Sequence, residues 1–157
     1  MSKIQHCLIL AAGRGRRMMP LTESVPKPMA PHNGSTLIAN QINKLSKFIP
    51  NIHVTVGYKG PVLAEHVIAS NATSVIHTAG QSNSWWIHNT LLSYVDEPVY
   101  VMTCDNITDM DFELLDQDYQ HQNSPTCMLI GVEPLPELEG DYIFHENNKV
   151  YKLDRNE

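Results

Sequence analysis

The chain has 157 residues, with 11 Lys+Arg against 17 Asp+Glu, a formal net charge of −6 and a pI near 5.7. With 42% hydrophobic and 18% charged residues it has enough apolar material for a continuous core and lacks the composition of a disordered chain, so one compact domain is expected. An acidic chain with no long Lys/Arg run lacks the electrostatic footprint of general nucleic-acid binding, and the apolar stretch Cys7 to Ala12 is far short of the roughly 20 residues that span a bilayer.

In chain order, Ile4 to Leu10 is apolar and β-compatible and ends at a glycine-rich turn, the pattern of a strand buried on both faces. A long polar, proline-punctuated loop runs from Gly13 to Gly34. Ser35 or Thr36 can then cap a helix whose Ile38, Ile42, Leu45 and Ile49 form one stripe, and Pro50-Asn51 stops it. Ile52 to Val56 reads as the second strand, Gly57 to Gly60 as a turn, and Pro61 to about Ala69 as a short helix that Asn71 can close. Val75-Ile76 marks a third strand. After the polar loop Thr78 to Ser84, the residues Ile87, Leu91 and Tyr94 predict one helical stripe ended by Glu97-Pro98. Val99 to Thr103 is the strongest strand signal, Phe112 to His121 a helix, Thr126 to Val132 another strand, and Tyr142 to Phe144 with Val150 to Leu153 a hairpin turning at Asn147-Asn148. Strands alternating with helices at this spacing predict an α/β fold: a Rossmann-like, doubly wound, mostly parallel sheet with helices on both faces.

Cys7, Cys104 and Cys127 are an odd set with no C-x-x-C pair and read as small buried hydrophobes. The eight histidines are scattered, with no H-x-x-x-H pair to form a metal site. Residues 13–17, Gly-Arg-Gly-Arg-Arg, stand where a signal peptide would need a small-residue cleavage site, so a cytoplasmic protein without membrane partners is expected.

Ligands of doubly wound sheets bind beyond the carboxyl ends of strands, which directs attention to the loop after the first strand. Its Leu10-Ala11-Ala12-Gly13-Arg14-Gly15 segment combines two glycines, permitting a tight turn with exposed N–H groups, and Arg14, Arg16 and Arg17 add positive charge: an anion site. Met18 stands where a dinucleotide fingerprint needs its third glycine, and no Walker lysine follows, which disfavours a nicotinamide-dependent oxidoreductase and a P-loop.

From Leu10 to Met29 the chain reads L-A-A-G-R-G-R-R-M-M-P-L-T followed by P-K-P-M. This resembles the signature of the nucleotidyltransferases that make nucleoside-diphosphate sugars and related activated alcohols, L-A-A-G-x-G-x-R-x-x-P-x-T and then P-K-P. The resemblance extends through Leu37-Ile38, Val56-Gly57-Tyr58 and Cys104-Asp105-Asn106. It implies that residues 10–15 wrap a nucleoside triphosphate, that Arg17 meets its phosphates, that Lys27 contacts the α-phosphate or the acceptor phosphate, and that Asp105 binds Mg²⁺. The reaction it implies is condensation of an NTP with a small phosphomonoester, releasing pyrophosphate. Arg14 and Arg16 are left open between solvated and phosphate-binding roles. Lys27, stiffened between two prolines, is well placed to aim a charge. Asp109 and Asp111 read as helix-start residues rather than metal ligands.

The segment from Thr78 to Leu91 lacks the glycine-rich stretch usual in the sugar-1-phosphate branch and is similar to the branch that activates phosphocholine or phosphonates with CTP. Gln81 and Asn83 are candidates for reading a base edge, with loop capping as the equal alternative. Of Trp85 and Trp86, one is expected in the core and the other is free to stack on a base or a cationic head group. The resemblance covers nearly all of this chain but only the N-terminal part of the family fold. Three explanations stay open: an incomplete chain, a short form completed by another chain or by self-association, and a non-catalytic nucleotide-binding or regulatory module.

Overall fold

The computed structural model describes residues 4–132 and 141–154, apart from the side chain of Leu91. These fall into two compact units that divide after Asp116.

In the first unit, β1 (His6–Leu10) is followed by a 3₁₀ turn at Arg16–Met18, α1 (Leu21–Ser24), a 3₁₀ turn at Lys27–Met29, and a small antiparallel pair, β2 (Pro31–His32) with β3 (Ser35–Thr36). Then come α2 (Leu37–Leu45), β4 (Asn51–Val56), α3 (Gly60–Ala69), β5 (Ser74–His77), α4 (Asn83–His88), a 3₁₀ turn at Leu91–Tyr94, β6 (Val99–Thr103) and α5 (Phe112–His121), which runs past the division. Four strands form one parallel sheet in the order β5-β4-β1-β6. From β1 the chain steps outward to β4 and β5, then returns to place β6 on the other side of β1. The strand order therefore reverses between β1 and β6, with Leu10 level with Thr103. This is the doubly wound arrangement expected from the sequence; in such sheets the ligand crevice lies beyond the carboxyl ends of the strands at the reversal point, here β1 and β6.

The apolar run of β1 is explained by its two covered faces. Cys7, Ile9 and Ala11 join Ile38, Ile42 and Leu45 of α2 and Leu63 and Val67 of α3 in one buried cluster. Leu8, Leu10 and Ala12 point to the other face, against Trp86 and Leu92. Alternating residues of one strand thus serve two helical layers, which removes the polar alternation of a one-sided strand. Burial pushes the Cys7 thiol up to about 12, so it stays protonated as a packing group.

Several local signals operate as expected. Thr36 caps α2, its hydroxyl accepting from the Ala39 N–H at 3.2 Å. Asn71 closes the α3 region in the left-handed conformation, φ 67°. The predicted stripe of Ile87, Leu91 and Tyr94 is instead divided: α4 stops at His88, the 3₁₀ turn begins at Leu91, and Tyr94 is 87% exposed. The Asn89-Thr90 step between the two pieces breaks the 3.6-residue phase that the stripe assumed.

In the second unit, β7 (Tyr142–Glu146) and β8 (Lys149–Asp154) form the expected hairpin. Asn147 and Asn148 turn it with φ 49° and 60°, the geometry that asparagine tolerates and that matches strand twist. The strand expected at Thr126 to Val132 does not form: these residues pair with no described strand. Apolar composition is insufficient without a neighbouring ladder to satisfy N–H and C=O groups, and Leu129, Ile130 and Val132 remain exposed.

Candidate functional site

The segment leaving β1 is held from both sides. The Cys104 N–H donates to the Leu10 carbonyl (3.3 Å), and the Tyr58 N–H donates to the Ala12 carbonyl (3.1 Å). The Ala11 N–H donates to the Thr55 hydroxyl at 2.9 Å. Leu10, Ala11 and Ala12 are buried and anchor the loop, whereas Gly13 and Arg14 are exposed. A side chain at Gly57 would strike the Ala12 carbonyl oxygen at 2.7 Å, so glycine there lets the two loops touch.

Gly15 turns the loop with φ 66°, and a Cβ on it would lie 2.7 Å from Lys27 Cβ. Its carbonyl accepts from the Met18 N–H (3.0 Å) and from the buried Thr22 hydroxyl (3.1 Å). The Tyr58 hydroxyl donates to the Thr22 carbonyl at 2.9 Å. Lys59 donates to the carbonyls of Glu23 and Ser24 at 2.7 and 2.9 Å, at the end of α1. The turn after β4 therefore clamps the loop after β1, and the clamp delivers Lys27 to the crevice.

Lys27 Nζ lies 2.5 Å from Asp105 Oδ2, across 78 residues of sequence. Burial alone would raise the Asp105 carboxyl, but the Lys27 hydrogen bond and charge, with a hydrogen bond from Thr103, outweigh it and hold the group below the usual carboxylate range. Asp105 is thus ionised at the carboxyl end of β6. Beside it, burial first and then the Asp105 charge push the Cys104 thiol up to about 11. Arg16 and Arg17 stand exposed on the 3₁₀ turn, without partners among the described residues. The Arg14 guanidinium lies 5.3 Å from the centre of the Tyr58 ring.

The crevice thus gathers residues 10–15, Lys27 and Asp105. The structure does not join Gln81 and Asn83 to that group by any hydrogen bond among the described residues; both side chains are exposed, and Ser82 rather than Asn83 caps α4. Trp86 is the core tryptophan, its indole N–H donating to the Thr78 carbonyl at 2.9 Å, while Trp85 is 38% exposed. Asp111 caps α5, accepting from the N–H groups of Glu113 (3.1 Å) and Leu114 (3.0 Å), as expected. Asp109 does not serve that helix start: its carboxylate pairs with Lys44 at 2.6 Å, because α2 presents that lysine to the loop.

Two positioning residues escape sequence reasoning. Lys59 reads as part of an ordinary turn, since its partners are 35 and 36 residues away. Gln41 is 3% exposed, and its amide donates to the carbonyls of Thr103 (3.1 Å) and Asn106 (3.4 Å), tying the Asp105 segment to α2. The signal for Gln41 was a polar residue next to Ile42 within the buried stripe.

A parallel sheet carrying a cationic, glycine-turned loop at its reversal point defines a doubly wound α/β domain with a candidate anion-binding loop. The model of the MobA-like NTP transferase domain matches residues 7–130, and the chain belongs to that family. It is similar to a bifunctional protein GlmU of Methanocaldococcus jannaschii, 30% identical over 106 residues, which cover 68% of this chain and 26% of that protein. A mannose-1-phosphate guanyltransferase of Gibberella zeae is 33% identical over 139 residues, covering 80% of this chain and 37% of the relative. The chain spans well under half the length of these curated relatives. Its fold is shared with the CTP:phosphocholine cytidylyltransferase of Streptococcus pneumoniae, with a TM-score of 0.65 and 18% identity, over 96% of this chain and 65% of that one. No helix among the described residues is long and apolar enough to cross a membrane.

Proposed function

We propose that this chain is the nucleotide-binding and catalytic part of a nucleotidyltransferase that condenses an NTP with a small phosphomonoester. The observation that carries this reading is the convergence of Lys27 and Asp105, 2.5 Å apart, beside the 10–15 loop at the sheet's reversal point.

The acceptor's phosphate oxygen attacks the α-phosphorus, the bond to the bridging oxygen breaks, and pyrophosphate leaves. Both reactants are anionic, so the protein must supply positive charge. Backbone N–H groups of Gly13 to Gly15 face the triphosphate, Arg17 neutralises its outer oxygens with Arg14 and Arg16 at the rim, and Lys27 stabilises the α-phosphoryl or acceptor oxygens as they gain charge. Gln81 and Asn83 are assigned to the base edge, and exposed Trp85 to stacking on a base or a cationic head group.

The residues present fit a magnesium ion. Mg²⁺ is commonly held by one or two carboxylates plus substrate phosphates, and Asp105 is an ionised hard-oxygen donor facing the crevice; no group of three potential ligands occurs among the described residues. Bound there with the triphosphate, the ion would offset charge and orient the phosphates. The Lys27 hydrogen bond and charge hold the Asp105 carboxylate ionised before substrate arrives.

The test is pyrophosphate release with CTP, UTP, GTP, ATP and dTTP, each paired with sugar 1-phosphates and phosphocholine, with and without magnesium. Release by one pair, abolished by chelation, is the expected result and identifies base and acceptor together. Nucleotide binding without release from any pair overturns the catalytic reading in favour of a binding or regulatory module.

A further inference from the structure

A second polar concavity lies away from the 10–15 loop. It encloses about 180 Å³ and is lined by His32 and Asn33 of the β2–β3 hairpin, by Asn40, Asn43, Lys44 and Lys47 of α2 and the turn after it, and by Ile107 of the loop that follows Asp105. Asn40, Asn43, Lys44 and Lys47 follow the i, i+3, i+4, i+7 spacing of one helical face, opposite the apolar stripe of Ile38, Ile42 and Leu45. Such a face is ordinarily just solvated. Here the hairpin folds over it, fixed by the Asn40 amide donating to the His32 carbonyl at 2.7 Å.

The donor balance of the concavity is lopsided. Lys44 is neutralised by Asp109 at 2.6 Å, but Lys47 has no partner among the described residues. Of the three asparagine amides in the lining, Asn40 donates to the His32 carbonyl and Asn33 lies 3.2 Å from His32 Nε2, which leaves each of them a second N–H, and Asn43 adds its own. Several N–H donors with one uncompensated cation around a small open volume suit a tetrahedral oxyanion. Asp109, whose carboxylate Lys44 holds below the usual range, occupies one of the donors such an anion would use.

From this arrangement we propose that the concavity is a second anion site, for a phosphate-bearing small molecule, in which the bound phosphate competes with Asp109 for Lys44. The consequence reaches the crevice. The segment carrying Asp105 is tied to α2 at Thr103 and Asn106 by Gln41, and at Asp109 by Lys44. An anion that displaces Asp109 releases one of these two ties, so occupancy of the second site changes the restraint on Asp105. The proposal stands whether or not the crevice turns over nucleotide.

The competition gives the test a sign. The full chain, ¹⁵N-labelled, is titrated with inorganic phosphate at constant ionic strength while the side-chain amides of Asn40 and Asn43 are followed by NMR, with the Gly13 and Gly15 backbone amides reporting the crevice separately. A parallel series with glycerol 3-phosphate distinguishes an organic phosphate, which binds more tightly than the free ion, from the free ion itself. The expected result is saturable shifts at Asn40 and Asn43, weakened about tenfold by Lys44→Ala or Lys47→Ala, the loss of one hydrogen bond to a charged group. Asp109→Asn, which removes the competitor, is expected to tighten binding. All three side chains are exposed, so these variants keep the fold. Non-saturating shifts, saturation at Gly13 and Gly15 alone, or weaker binding in Asp109→Asn would overturn the proposal.

Discussion

The two ends of the central sheet carry opposite kinds of polar chemistry on the same strands. At the amino end, His6 Nδ1 and His53 Nε2 are 3.0 Å apart, His53 Nδ1 is 2.7 Å from the Ser74 hydroxyl, and His6 Nε2 is 3.7 Å from Glu97. Donor and acceptor roles match along the row when Ser74 donates to His53 and His53 to His6, with His6 Nε2 facing the Glu97 carboxylate. At the carboxyl end, Arg16 and Arg17 are exposed without partners among the described residues, and the turn that carries them is clamped from behind by Thr22, Tyr58 and Lys59. Polar groups that complete one another hold strands in register. Groups held rigidly with their charge unspent are prepared for a ligand.

Substitutions at the two ends should therefore separate activity from stability. The largest effect is expected from Arg17→Ala and Lys27→Ala, which should lower turnover by about 10² to 10³, the usual cost of removing one donor to developing charge, with little change in melting temperature. Comparable losses of activity and melting temperature would make these residues structural. Gly15→Ala comes next: a left-handed residue gains a Cβ 2.7 Å from Lys27 Cβ, which should cost about 1–3 kcal/mol by denaturant titration and displace Lys27, lowering turnover as well. Tyr58→Phe removes the hydrogen bond to the Thr22 carbonyl and should cost about 1 kcal/mol, read the same way.

The smallest effect sharpens the amino end. Burial, then the neighbouring His6, lower the His53 pKa from its ordinary 6.5. The unfolded chain therefore takes up a proton that the folded chain resists, so this contribution is complete above about pH 6.5 and is lost as the pH falls below it. Thermal melts between about pH 7.5 and about pH 5.5 should fall more steeply for the parent chain than for His53→Gln. Equal slopes would remove the histidine pair from the account.

How much of this was legible in the sequence depends on how far apart the partners lie. The buried run of β1, the Thr36 cap, the Phe112–His121 helix and the Asn147-Asn148 hairpin turn are local patterns, and each formed where expected. The 10–15 loop, Lys27 and Asp105 were legible as motifs, but their convergence needed the sheet to place β1 beside β6. His6 with His53 and Gln41 with Thr103 carry no local pattern, because strand register and helix packing create those contacts over tens of residues. The missing strand at 126–132 failed for the converse reason: apolar composition is local, whereas a ladder partner is not.

The most direct measurement compares magnesium-dependent NTP binding in the parent chain, Arg17→Ala and His53→Gln under conditions where all three are folded. Saturable binding by the parent chain, weakened at least about tenfold in Arg17→Ala and unchanged in His53→Gln, is the result expected if the carboxyl end of the sheet is the nucleotide site. Absence of binding to the parent chain, or a loss at His53 with Arg17 indifferent, would contradict it.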